Sequence, residues 1–166
     1  MRAVPKVKHG VGWALLAVVG LAGVGHATAP LEQYKFFSKA DETIEDTKTK
    51  LIWERRVEDQ NQMTFDAAVA HCNGLAGAGW RLPTVKELLT LVDEQPLGIY
   101  DGAKIVYPAI DSNAFPGTHL ANFWSASRHL GHADDSVVVD FSTGRTNPLN
   151  ATGANKAHVR CVRNAN

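Results

Sequence analysis

Two cysteines, Cys72 and Cys161, are the whole thiol inventory of the 166-residue chain, and they constrain its fold more than any other feature. Joined, they close a loop of about ninety residues, for which chain entropy alone gives ~4–5 kcal/mol, as much as the net stability of a small domain. Whether they join depends on the compartment. Arg2, Lys6 and Lys8, with no acid among them, precede the apolar run "VGWALLAVVGLAGVG", which is too short and glycine-rich for a membrane span. Small residues follow it, as a secretory signal requires. Cleavage is expected after Ala27, with Ala29 the alternative site and an uncleaved anchor the competing reading. No cysteine sits at the exit of the apolar run, which argues against a lipoprotein-type attachment. Export makes a disulfide the default state. Two free thiols are the competing state, and a metal pair is the weaker idea, because there is no CxxC and His158 is the histidine closest in sequence to Cys161.

Loss of residues 1–27 removes three basic residues and no acid, so the formally neutral chain becomes a mildly acidic domain over 28–166. A chain of this size buries roughly two-thirds of its unfolded surface around one core. The charge balance gives no basis for binding nucleic acid or an anionic membrane, which needs clustered Lys and Arg. No membrane insertion is expected once the signal is cleaved.

Along the chain, "YKFF", "ETIEDT" and "KLIWERRV" read as strands with "DTKTK" as a turn. The period then changes to helical in "TFDAAVAHCNGL", where Phe65, Ala68, Val69, Cys72 and Leu75 share a face and Thr64 offers an N-cap. "GWRLPTVKELLTLVD" is the most patterned run. Thr84 and Glu87 have capping-box spacing, and Pro83 forces Leu82 to be extended. Trp80 and Leu82 then face the core while Arg81, on the opposite side, hydrogen-bonds carbonyls or a carboxylate. Residues 95–122 read as a long ordered loop anchored by Ile110 and Phe115. "FWSAS", "SVVVDFS" and "AHVRCVR" give closing strands, with "STGRT" as a hairpin turn and a short strand near Arg145. Strands, two helices, a loop and more strands predict an α+β domain with an antiparallel sheet.

"GWRLPTVKELLTLVD", "LIWE", "FWSAS" and "HVRCVRN" together resemble the Lcl C-terminal domain family, named for the Legionella collagen-like adhesin, over nearly the whole exported part. The resemblance implies a fold related to C-type lectins and to formylglycine-generating enzymes, closed by a disulfide that maps onto Cys72 and Cys161. Lys50 departs from the pattern, since relatives commonly carry glycine there.

Three functions compete. A non-enzymatic exported binding module is expected first, recognising a glycan or an envelope or surface protein, with self-association left open. The adhesin resemblance implies sulfated polysaccharides, for which Arg128, His129, His132 and Arg145 are the cationic candidates, interrupted by Asp134 and Asp135. An exposed cluster satisfied by those acids is the blander alternative. Tyr100 and Tyr107 are the expected exposed contacts of the long loop, whereas Phe115 and Trp124 pin it to the core. Calcium-dependent sugar binding is disfavoured, because Pro148 lacks the preceding acid of the lectin motif and Asp134, Asp135 and Asp140 read as a solvated turn entering a strand. An enzyme of the formylglycine-generating kind needs a reactive thiol pair for copper, and both cysteines are assigned to the fold. No hydrolase motif is present, and His71 and His119 read as solvated. No catalytic residue, metal or cofactor is expected. A structural or assembly subunit is the alternative function.

Overall fold

The computed structural model describes residues 30, 32–38, 42–57 and 61–165; the leader and its expected cleavage site lie outside them. In chain order the elements are β1 (Tyr34–Ser38), β2 (Thr43–Asp46), β3 (Leu51–Glu54), α1 (Phe65–Asn73), α2 (Val85–Leu89), β4 (Ile99–Tyr100), β5 (Ile105–Val106), β6 (Asn122–His129), β7 (His132–Asp140), β8 (Arg145–Asn150) and β9 (Val162–Asn164). They form three sheets, ordered β1-β2-β3-β9, β4-β5 and β6-β7-β8, and every strand pairing within them is antiparallel. The expected α+β class with an antiparallel frame and two helices is what the chain adopts.

β3 is buried on both faces, and that fixes where the core lies. Trp53 packs with Leu88, Ile110, Phe115, Phe123 and Phe141 on one side. Ile52, pointing the opposite way, packs with Phe65, Trp80, Trp124 and the two cysteines. Cys72 on α1 bonds to Cys161, with Cα atoms 5.4 Å apart across a sequence separation of 89. The staple therefore ties the helix to the segment that carries β9.

On its far side β9 pairs with the "GWRLP" run. The Arg81 N–H donates to Val162 O at 2.9 Å and the Val162 N–H donates back to Arg81 O at 3.0 Å. Pro83 keeps this run extended into the helix start, so Trp80 and Leu82 are buried as their alternation predicts. The α2 start is also what β6 reaches for. Between Trp124 (opposite Val138) and Arg128 (opposite Ser136), the register of β6 shifts in a bulge. There the Ala126 N–H donates to Pro83 O at 2.7 Å, and Ser127 Oγ accepts from the Val85 N–H at 3.0 Å. Ser136, fully buried, donates to the carbonyls of Ser125 and Ser127 and so satisfies the bulge from inside.

Several sequence expectations give way. Thr64 sits at the N-cap of α1 but its side chain makes no cap bond, whereas the Thr84–Glu87 capping box is complete. Residues 95–122 contain the β4–β5 hairpin, and the Val92–Ile110 bridge closes the stretch that carries it. β7 begins at His132, so Asp134 and Asp135 lie within a strand and not in a turn. Of "AHVRCVR", Val162 and Arg163 lie in β9, while Ala157 and His158 make isolated bridges to Met63 and Phe123.

Candidate functional site

Arg81 is structural. Its Nη1 and Nη2 donate to Glu87 Oε2 and Oε1 at 2.8 and 2.6 Å, and the same Oε2 accepts from the Thr84 N–H at 2.8 Å. One carboxylate thus closes the helix cap and holds the guanidinium in a bidentate pair. The Arg81 hydrogen bonds, followed by those from Thr84, hold the Glu87 carboxyl below its usual range against the opposing effect of burial.

The exposed chemistry gathers on the β4–β5 hairpin. Tyr100 stands opposite Ile105, and Tyr107 lies two residues further along β5's direction, so all three share one face. They are 70%, 61% and 62% exposed. Gly98 lies against Ile105 and Tyr107: a Cβ there would approach Ile105 Cγ2 to 2.8 Å and Tyr107 Cε1 to 3.0 Å. The side chains rest on bare backbone that no other residue would leave open. At the tip, Asp101 Oδ1 accepts from the Ala103 and Lys104 N–H groups at 2.9 and 2.8 Å, which lowers the pKa of that carboxyl and fixes the turn.

Tyr107 also forms one wall of a cleft of about 350 Å³ whose other sides carry Asp93, Glu94, Ser142 and Thr143. Its floor is set by Gly144, at φ +72, where a Cβ would meet Val92 Cγ1 at 2.8 Å. Asp140 shapes the rim. Its Oδ1 accepts from the Ser142 N–H at 2.7 Å and its Oδ2 from Thr143 Oγ1 at 3.2 Å. Sequence reasoning missed Asp93, Glu94, Ser142 and Thr143; "STGRT" signalled a turn, and nothing in it signalled what the turn would face.

The expected candidates fall into two groups. Tyr100 and Tyr107 are together, and Arg145 follows Gly144 directly at the cleft. Arg128 and His129 are elsewhere. Arg128 lies opposite Ser136 and Arg145 opposite Asp140, across and along β7 from each other. Strand spacings and rise put the two backbones roughly 16 Å apart. The Arg128 guanidinium lies 4.5 Å from the Phe65 ring centroid, His129 stacks on His132 at 6.0 Å, and Asp135 accepts from Asn150 Nδ2 at 3.3 Å. Trp124 and Phe115 are fully buried, as expected for pins.

Both histidines read as solvated have partners. His71 Nε2 lies 3.7 Å from Glu54 Oε1. His119 stacks on His158 with centroids 3.9 Å apart. Burial, then the neighbouring His119, depresses the His158 pKa to about 4. Arg160, unremarked in the sequence, is fully buried; it donates to the carbonyls of Glu54 and Arg55 and to Thr118 Oγ1, tying the end of the long loop to β3.

The family model of the Lcl C-terminal domain matches residues 42–163, from just before β2 into β9. The chain belongs to this family. A search of curated proteins returned no match. In this Lcl C-terminal domain the two most specific motifs, "GWRLPT" and "VRCVR", are strand neighbours through the Arg81–Val162 bridge. β1 precedes the matched region. The disulfide accords with an exported protein, and among the described residues no helix is long and apolar enough to cross a membrane.

Proposed function

We propose that this Lcl C-terminal domain is a non-catalytic, exported binding module that receives a glycan on the β4–β5 face and in the adjoining cleft. The face carries the proposal: two tyrosines and an isoleucine, each more than 60% exposed, stand together on a fixed hairpin. Phenol rings pack against the C–H faces of sugars, and the Asp93 and Glu94 carboxylates with the Ser142 and Thr143 hydroxyls supply acceptors and donors for sugar hydroxyls. The adhesin after which the family is named, and its expected kinship with lectin-like folds, favour the same class. The acids beside Tyr107 favour an uncharged or amino-bearing sugar over a sulfated one at this end. Arg128, His129 and His132, with Arg145 remote from them, are the cations a polyanion would use. With both cysteines in the disulfide, the oxidised protein keeps no thiol pair for soft-metal oxygen chemistry, which supports a non-enzymatic reading.

A glycan array with and without chelator tests this, run with the Tyr100→Ala/Tyr107→Ala double variant and with Arg128→Glu. The expected result is chelator-independent binding that persists in high salt and in Arg128→Glu but is lost in the double variant. Binding that collapses with salt and with Arg128→Glu would move the site to the cationic end. Absence of glycan binding, with one envelope protein recovered instead, would favour the assembly role.

A further inference from the structure

Glu54, at the end of β3, and His71, beside Cys72 on α1, converge on the disulfide. Glu54 Oε2 accepts from the Cys161 N–H at 2.7 Å, which brings the carboxylate to the sulfur, and Glu54 Oε1 faces His71 Nε2 at 3.7 Å. A carboxylate oxygen of Glu54, a ring nitrogen of His71 and Cys161 Sγ all lie within 4.8 Å of one another. Cys72 Sγ is bonded to Cys161 Sγ and so lies directly beside this cluster of three. The cysteines are fully buried, but the side chains of His71 and Glu54 are 26% and 14% exposed and give the cluster an approach from solvent.

While the disulfide stands, neither sulfur carries thiolate charge. We infer that the reduced chain binds one zinc ion through Cys72, Cys161, His71 and Glu54, a site mutually exclusive with the disulfide. Tetrahedral zinc takes sulfur at about 2.3 Å and imidazole nitrogen at about 2.0 Å, which places neighbouring ligand atoms roughly 3.5–3.8 Å apart. Opening the S–S bond lets the sulfurs separate toward that spacing, and the nitrogen and oxygen, already within 4.8 Å of Cys161 Sγ, close on it by up to roughly 1.3 Å. A soft thiolate pair with imidazole selects zinc over calcium or magnesium. The balance is simple. A phosphine and water reduce the disulfide to two thiols and leave phosphine oxide; zinc then displaces one proton from each thiol while His71 donates a neutral nitrogen lone pair. The ion would hold α1 to the β9 segment in the unoxidised chain, where the covalent link is missing.

The test adds cobalt(II) to the purified protein before and after phosphine reduction. The expected outcome is a thiolate-to-cobalt charge-transfer band and a tetrahedral visible band in the reduced protein alone, at one ion per chain and displaced by zinc. His71→Ala and Glu54→Gln should each weaken cobalt binding at least tenfold. Absence of these bands in folded reduced protein would overturn the proposal, as would two variants that bind like wild type. If reduction unfolds the domain, circular dichroism decides: refolding on one equivalent of zinc supports the site, and no refolding rejects it.

Discussion

Single residues in this domain act through what they close off. Arg81 looks catalytic in isolation, yet both arms of its fork end on the carboxylate that caps α2. That role was legible, because capping-box spacing put Glu87 within reach and Pro83 fixed the direction of approach. The partners of His71, His119 and Arg160 were not legible. Each contacts a residue far away in sequence, and no local period encodes such a meeting. His158 carries a consequence for stability. The folded state depresses its pKa to about 4 from the 6.5 of the unfolded chain. Between those values the unfolded chain binds the extra proton, so this contribution is complete above about pH 6.5 and is lost as pH falls toward 4. Urea midpoints of the wild type should therefore drop across this window, and His158→Gln should drop less; equal slopes would reject the assignment.

Among the elements, the β2–β3 hairpin turns through a residue that is not glycine. Lys50 occupies the left-handed region at φ 60 in that turn. The turn still forms, because Asp46 Oδ1 accepts from the Lys48 N–H at 2.8 Å and Asp46 O from the Lys50 N–H at 2.8 Å. A side chain in that conformation costs roughly 1–2 kcal/mol, partly offset in a glycine variant by the greater freedom of its unfolded chain. The exposed contact from Lys50 Nζ to Glu45, 3.9 Å long, contributes little. Lys50→Gly is expected to raise stability by ~0.5–1 kcal/mol in urea denaturation, and a loss of stability would mean that the lysine stem is packed. The β4–β5 hairpin illustrates the opposite limit of sequence reading. Its tyrosines were expected to be exposed, but strands of two residues are too short to show alternation, so the shared face emerges only from the pairing register.

For the whole molecule, the disulfide sets the stability scale. It spans 89 residues and joins two elements that hydrogen bonds within a single sheet do not link. Cys72→Ala should lower stability by about 4–5 kcal/mol on the chain-entropy estimate. Non-reducing peptide mapping should recover the two cysteines as one linked fragment, and two alkylatable thiols in the folded protein would refute the pairing. The α+β class was readable because long periodic segments carry it. The cleft was not, because it is built where residues 92–94, 107–109 and 142–144 meet, and no local pattern brings these separated stretches together.

Segment 157–164 has a further consequence, for the order of events in synthesis. It supplies the strand between β3 and Arg81, the buried Arg160 and the second sulfur of the staple, and each of its partners lies earlier in the sequence. A ribosome releasing the chain amino end first would already have delivered both helices and most strands before this segment emerged. Until then the β3 edge is unpaired and Cys72 has no mate. The frame formed by β3, β9, Arg81 and the disulfide is therefore completed only when this late segment arrives.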